Sequence, residues 1–300
     1  MRPILSICVV TMDRAKQLKE ALDSCLACEL PKKTEFVIID NASSDDTEQI
    51  VYKTLTNSGY SFFYEKLKEN IGAGGGRNYA FARSKGEYIY GLDDDAVIDN
   101  ACPDFFTKSV SIMNNYPEIA TLTTQIYDTA WGRNRLSENG VKYAEGLYKI
   151  KMFYGGSHFL RKDFFVKPPY LSNKYGYEEL PPSLIVSDAG NINAFCPAIK
   201  IIHKPAVNKW NLVDERNHAL FINECAIQYS IKKMMYPRIF LPLLFLAYKM
   251  RCKKYLSDID DGYKKANKIV KCTIKQYFID YRISTKTVLC LWRDFGFSIF

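Results

Sequence analysis

The chain has no apolar run long enough to cross a bilayer. Its longest, Ile239 to Tyr248, is ten residues and contains Pro242, against roughly 20 for a spanning helix. A leader pattern is missing too: Asp13 and Arg14 follow the apolar opening Ile4–Val10, and no small-residue cleavage site comes after it. The expectation is therefore a cytoplasmic protein, at most peripheral at the inner face of the cell membrane. No second CxxC completes the one formed by Cys25 and Cys28, which excludes a zinc ribbon and leaves that pair in a helical pattern beside Leu22 and Leu26. The nine cysteines are odd in number and irregularly spaced, and Cys8, Cys102, Cys196 and Cys290 sit inside apolar runs. They read as free thiols acting as small hydrophobes. Repeats, low-complexity tracts and flexible linkers are absent, and no Gly-Lys-Ser/Thr closes a Walker loop.

What is present is globular composition: 300 residues, 47% hydrophobic and 25% charged, enough for a sizeable core and unlike a disordered or fibrous chain. The net charge of +8 is unevenly placed, because residues 225–300 hold 15 Lys+Arg against 5 Asp+Glu. There, apolar Tyr236–Tyr248 is flanked by Lys232, Lys233, Lys249, Arg251, Lys253 and Lys254. Basic flanks around an apolar patch suit an anionic membrane surface through 232–254, while a buried helix with a solvated basic face is the plain alternative. No nucleic-acid module accompanies the charge, so nucleic acid is not expected as a partner.

The first hundred residues alternate strand and helix. Ile4–Val10 is a continuous β-branched run, Lys16–Cys28 has helical spacing, and Phe36–Ile39 is a second short strand. Ser44 and Asp45 open a helix through Leu55; Tyr60–Tyr64, Gly75–Ser84 and Tyr88–Leu92 continue the rhythm. This pattern predicts an α/β fold with a mostly parallel sheet and crossover helices. Later, a helix over Asp104–Asn115 and strands over Leu122–Tyr127 and Phe195–Ile202 are expected, with polar irregular chain at Trp131–Gly146 and loops at Pro168–Pro182. Helical patterns dominate from Glu215. The division that follows is 1–115 and 116–214 as two halves of one body, with 215–300 as a basic helical extension.

Ligands of such sheets bind at the carboxyl ends of the strands. Thr11 to Arg14 follow the first strand, Asp40-Asn41 the second and Asp93-Asp94-Asp95 the fourth. Three adjacent carboxylates repel one another unless a cation sits among them, and hard oxygen ligands point to magnesium or manganese. Asn70-Ile-Gly-Ala-Gly-Gly-Gly-Arg-Asn78 places four glycines before a helix, where backbone can approach a phosphate closely.

These segments, Val9–Arg14, Val37–Thr47, Asn70–Asn78 and Gly86–Asp95, resemble in order and spacing the family-2 glycosyltransferases, nucleotide-sugar-dependent enzymes of the GT-A fold, of rhamnosyl- and galactosyltransferase type. The resemblance implies that Asp40 recognises the nucleobase, that Thr11 and Arg14 line the nucleotide pocket, and that Asp93 and Asp94 lie near the ribose and sugar. Asn41, Asn70, Gly72, Gly74 and Asn78 fall in the same nucleotide-sugar motifs, and Asp95 is implied to hold the metal. The donor implied is a UDP- or dTDP-type sugar, the acceptor a saccharide or lipid-linked saccharide, and the setting polysaccharide assembly.

The second half matches more thinly. Glu178-Glu179 opens a segment that in many members reads E-[DE]-x-D-L-x-x-R, but Pro181 and Ile185 replace the later Asp and Arg. By family position Glu179 is the base that takes the acceptor proton, Glu178 the next choice, and Asp188 a third if the prolines shift the register. His203 is implied to complete the metal shell or touch the diphosphate. Gly155-Gly156-Ser157 is implied to border the acceptor pocket, with His158 read as a polar loop residue. Arg216-Asn217 resembles a pair in relatives acting on lipid-linked acceptors. Two rival readings remain: a sugar nucleotidyltransferase, which would need a basic triphosphate loop not found around Thr11–Arg14, and a degenerate nucleotide-binding scaffold, prompted by the altered segment at Pro181 and Ile185.

Overall fold

The structure, a computed structural model, describes every residue except 1, 137–139, 174–175, 206–213, 256–258 and 278; for 214–222, 254–255 and 259–261 it describes the backbone alone. Strand β1 (Leu5–Thr11), helix α1 (Ala15–Leu26), β2 (Thr34–Asp40), α2 (Thr47–Leu55), β3 (Ser61–Lys66), α3 (Gly72–Arg83) and β4 (Tyr88–Asp93) follow the expected alternation. All seven residues of β2 are buried, as an apolar run covered on both faces requires. Strands β3, β2, β1 and β4 lie side by side and parallel. Their register sets Thr11 beside Asp40 and Val10 beside Asp93, so the polar residues that end each strand share one edge.

The chain continues through β5 (Ala96–Ile98), α4 (Phe105–Asn115), β6 (Ile119–Asp128), β7 (Arg133–Asn134), β8 (Val141–Ala144), β9 (Leu147–Lys149), β10 (Ser157–Arg161), α5 (Leu180–Asp188) and β11 (Ile192–His203). These strands extend the same sheet in the order β3-β2-β1-β4-β10-β6-β11-β9-β8, with β5 on β11 and β7 on β6. Here the pairing is mixed: β10 runs antiparallel to both β4 and β6, while β6 and β11 are parallel. Antiparallel pairing of β11 with β5 sets His203 beside Ala96, the residue after the acidic triplet. The Trp131–Gly146 stretch, expected to be irregular, contains β7 and β8. The prolines at 181 and 182 fall in the first turn of α5, where a missing N–H costs nothing.

Strand β10 lies in the middle of the sheet although it begins Ser-His. Both residues are fully buried, and both are satisfied. Ser157 Oγ lies 2.8 Å from the Tyr90 hydroxyl and 2.6 Å from Thr124 Oγ1. His158 Nε2 pairs with the Tyr170 hydroxyl at 2.5 Å and Nδ1 lies 3.1 Å from the Gly155 carbonyl. His158 is thus a buried strand residue and not the polar loop residue expected. Burial, with Arg77 nearby, pushes its pKa down to about 3, so it stays neutral.

Helices α6 (Asp214–Met235), α7 (Leu241–Tyr255), α8 (Ile259–Gln276) and α9 (Thr285–Phe295) form the C-terminal part. Ile231, Met235, Phe240, Leu244 and Val288 share a core with Leu180 and Leu184 of α5, so this part is packed against the body. Part of the apolar patch anticipated as a membrane face is in that core: Tyr236, Phe240, Leu244 and Ala247 are buried there, and Tyr248 is buried in a neighbouring cluster with Cys225, Ala226 and Cys252. Lys232, counted in the basic flank, is buried as well. Its ammonium donates to the Phe300 carbonyl at 2.9 Å, and burial holds its pKa well below the usual lysine range. It belongs to the interior and not to a basic surface.

Asp188 is a fastener between α5 and α9. Its carboxylate accepts from the Ser284 amide and Thr287 hydroxyl, both at 2.7 Å, and from the Tyr281 hydroxyl at 2.6 Å. With both oxygens occupied it is not available as the third candidate base. Replacing it with Ala should lower stability by about 1–2 kcal/mol while leaving turnover unchanged below the melting transition; thermal unfolding and an activity assay check both halves.

Candidate active site

The acidic triplet sits where β4 ends and β5 begins, at the carboxyl edge of the parallel strands. Arg14, at the N-cap of α1, donates one nitrogen to Asp94 at 2.9 Å and to Asp95 Oδ2 at 2.7 Å. Burial pushes the Asp94 pKa up to about 6, against the pull of Arg14 and Thr11. His203 presents Nε2 to Asp95 Oδ1 at 3.2 Å and Nδ1 to Asp128 Oδ2 at 3.1 Å. Asp128, at the end of β6, also accepts from Arg135 Nε at 2.9 Å. Burial alone would lower the His203 pKa, but the Asp95 hydrogen bond and the surrounding carboxylates leave it raised. Nδ1 also lies 2.9 Å from Arg135 Nη2, and the Asp128–Arg135 pair on that side holds the ring so that Nε2 faces Asp95, as outer groups orient a metal-ligating histidine.

Asp93, Asp95 and His203 can each bring one ligand atom within 4.8 Å of the others, the one such group among the described residues. Two hard oxygens and an imidazole nitrogen make a donor set suited to manganese or magnesium.

On the other side of Asp93 lies Arg77, which the sequence reading left without a role. It projects from α3, donates to Asp93 Oδ1 at 2.7 Å and to Glu179 Oε1 at 3.2 Å, and pairs with Glu178 through the same nitrogen. Its guanidinium is buried among these carboxylates and its pKa is raised far above the usual value despite burial. Close approach makes this possible. A Cβ on Gly74 would stand 1.9 Å from the Leu171 carbonyl oxygen, and one on Gly155 would stand 2.0 Å from Glu179 Oε1. At position 74 only glycine lets α3 meet the backbone at Leu171, and at 155 a side chain would displace the ends of Glu179 and Arg77.

Glu178 and Glu179 are both buried. Burial and the Glu178 charge push the Glu179 pKa up to about 8, against the pull of Arg77. Glu178 Oε2 is buried with no hydrogen-bond partner. A cavity of about 720 Å³ is lined by Arg14, Arg77, Asp93, Asp94, Asp95, Glu178 and His203, with Arg135 and Tyr170 beside them.

The other sequence candidates do not line this cavity. Asp40 is buried; its carboxylate accepts from the Ser43 amide at 2.7 Å and the Tyr64 hydroxyl at 2.8 Å. Asn41 braces the glycine-rich turn, donating to the Gly72 carbonyl and accepting from the Ile71 amide, each at 3.1 Å. Asn70 accepts from the Gly72 amide at 2.8 Å. Asn78 clamps the 170–172 segment through the Tyr170 amide and carbonyl and the Ser172 hydroxyl. Thr11 is buried at the end of β1. Arg216 and Asn217 lie outside the residues whose side chains are described.

Arg77, Asp128 and Arg135 are the site residues the sequence did not single out. Arg77 stood inside the glycine-rich motif already quoted, and Asp128 ends a strand at the same sheet edge; position at that edge was the available signal.

Residues 6–168 match Glycosyl transferase family 2. A poly-beta-1,6-N-acetyl-D-glucosamine synthase of Staphylococcus epidermidis is 31% identical over 104 residues, 35% of this chain and 24% of the relative. A glycosyltransferase of Rickettsia typhi is 32% identical over 112 residues, 37% of this chain and 32% of the relative. The matches therefore span about a quarter to a third of these relatives' length.

Among solved structures, a GalNAc-T7 with UDP, GalNAc and Mn2+ aligns at TM-score 0.62 and 13% identity, over 92% of this chain and 56% of the other. A mannosyltransferase from Pyrobaculum calidifontis in complex with GDP-Man and Mn2+ aligns at 0.58 and 16%, over 100% and 81%. TarS of Staphylococcus aureus with UDP-GlcNAc aligns at 0.54 and 15%, over 93% and 73%. These likenesses show the fold, which is GT-A with a helical C-terminal part.

Proposed function

The chain belongs to glycosyl transferase family 2, and from that we propose that it moves a sugar from a nucleoside-diphosphate donor to a saccharide or lipid-linked saccharide acceptor, with inversion, in polysaccharide or glycan assembly. The observation that carries this reading is one cavity. It holds the Asp93–Asp95–His203 group and Arg14 on one wall, and Arg77 with Glu178 on the other. A UDP- or dTDP-type sugar is the donor proposed.

Asp93, Asp95 and His203 would hold a divalent cation, which when bound supplies Lewis-acid charge to offset the departing diphosphate. The fit rests on the donor set and on the Asp128 hydrogen bond that aims the imidazole. Arg14 fixes Asp94 and Asp95 from the cavity wall, and Arg77 fixes Asp93, so the triplet is preorganised before any ligand arrives.

In transfer, an acceptor hydroxyl oxygen attacks the anomeric carbon as the bond from that carbon to the diphosphate oxygen breaks, and the nucleoside diphosphate leaves with the electron pair. The hydroxyl proton needs an acceptor within hydrogen-bond reach, a condition of geometry before one of pKa. Two observations favour Glu178 over Glu179: Glu178 lines the cavity, and its Oε2 has no partner. Glu179 fits a holding role, since burial and the Glu178 charge raise its pKa and favour the protonated form.

The test is a panel of nucleotide sugars with manganese and saccharide acceptors, followed by release of nucleoside diphosphate. At least one donor should turn over. Pyrophosphate as product would support a nucleotidyltransferase, and no turnover with any donor would sink the reading.

A further inference from the structure

From Cys225 to Ser257 the chain has seven Lys and Arg and no Asp or Glu. This stretch contains α7, whose two sides differ sharply. Leu244, Ala247, Tyr248 and Cys252 are buried on α6 and α8. At the 3.6-residue period the opposite side presents Pro242, Phe245, Leu246, Lys249, Met250 and Lys253. Leu246 is 50% exposed and Met250 56%. The turn before α7 adds Arg238 and Ile239, the latter 74% exposed. Lys249 lies over the Phe245 ring with its ammonium 5.0 Å from the centroid, so an apolar stem and ring carry a charge at their outer end.

A second aromatic group lies nearby in the packing: the rings of Phe240, Trp292 and Phe297 all contact Phe300, at 5.9, 5.1 and 5.5 Å, and Trp292 and Phe297 remain 39% and 40% exposed.

We propose that this face, Ile239, Leu246 and Met250 framed by Arg238, Lys249 and Lys253, docks the protein on an anionic lipid bilayer, with α7 lying in the interface plane. Charge selects the occupant. A second copy of the same face would set lysine against lysine, whereas anionic headgroups attract every charged side chain described on it. The apolar side chains would enter the headgroup boundary while the lysine stems reach outward to the phosphates. Among the described residues no helix is long and apolar enough to cross a membrane, so the mode is surface attachment. Lys232 and Tyr248 have no part in it, because both are buried.

The test uses the full chain with no donor present, so its outcome is independent of sugar transfer. Sedimentation is measured with phosphatidylcholine vesicles containing about 30% phosphatidylglycerol and with neutral vesicles. Wild-type protein should partition to the anionic vesicles, and added salt should release it. Leu246→Glu with Met250→Glu should weaken partitioning about a hundredfold, and Lys249→Ser with Lys253→Ser about thirtyfold. Both lysines are exposed, so the second variant leaves the core intact; an unchanged Tm verifies this. No partition of wild type, equal partition to neutral vesicles, or wild-type partition by both variants overturns the proposal. Capture by an acidic protein without vesicle binding overturns it too.

Discussion

Arg77→Met is expected to abolish transfer and to lower Tm by roughly 5–8 °C. Its side chain is 15% exposed and bonded to three carboxylates, those of Asp93, Glu178 and Glu179. Without it, Asp93 and Glu178 lose their shared counter-charge in a largely buried site, and removing one partner of a buried ion pair costs about 3–5 kcal/mol. The loss has a pH signature. Arg77 pulls down the pKa of both Asp93 and Glu179 against burial, so in the variant both folded-state values rise. Raised carboxyl pKa values add stability at acid pH that is lost as pH rises through them. The deficit should therefore shrink towards pH 5 and be largest at neutral pH and above. Arg77→Lys should recover part of the stability but little activity, because one ammonium cannot replace a fork that spans separate carboxylates. Thermal unfolding across pH decides the matter: a deficit that ignores pH would mean that Arg77 acts by packing alone.

The acidic pair yields the second large effect. Glu178→Gln should reduce turnover by about a thousandfold, the usual size of a general-base contribution, with donor affinity unchanged. Glu179→Gln should cost less than about tenfold near neutral pH, because glutamine imitates the protonated carboxyl that burial and the Glu178 charge favour. Measured side by side, turnover and donor binding separate the two residues. The reverse ranking would return the role of base to Glu179, as family position suggests.

Much of the N-terminal half was legible from its residues. Strands buried on both faces need continuous apolar runs, and β1, β2 and β4 have them; α2 ends at Leu55 as expected but starts at Thr47, later than the Ser44–Asp45 opening, with Asp46 at its N-cap position. Strand β10 was not legible, because its buried Ser157 and His158 are satisfied by hydroxyl groups of Tyr90, Thr124 and Tyr170 that no local pattern announces. The site divides in the same way. Asp93, Asp95 and His203 were readable as strand-end residues at one edge. What could not be read was side-chain direction: Asn41, Asn70 and Asn78 turn onto backbone, and Asp40 is engaged by Ser43 and Tyr64. Arg77 escaped because its glutamate partners are about a hundred residues along the chain, and charge pairing at that separation leaves no periodic signal.

The most direct measurement is calorimetric titration of UDP, dTDP and GDP into wild-type protein and Asp95→Asn, each with and without manganese. One nucleoside diphosphate should bind wild type in a manganese-dependent manner, and the variant should lose that dependence. Binding of none of the three, or binding to which manganese and Asp95 make no difference, would contradict the assignment of Asp93, Asp95 and His203 as the seat of a nucleotide-sugar leaving group.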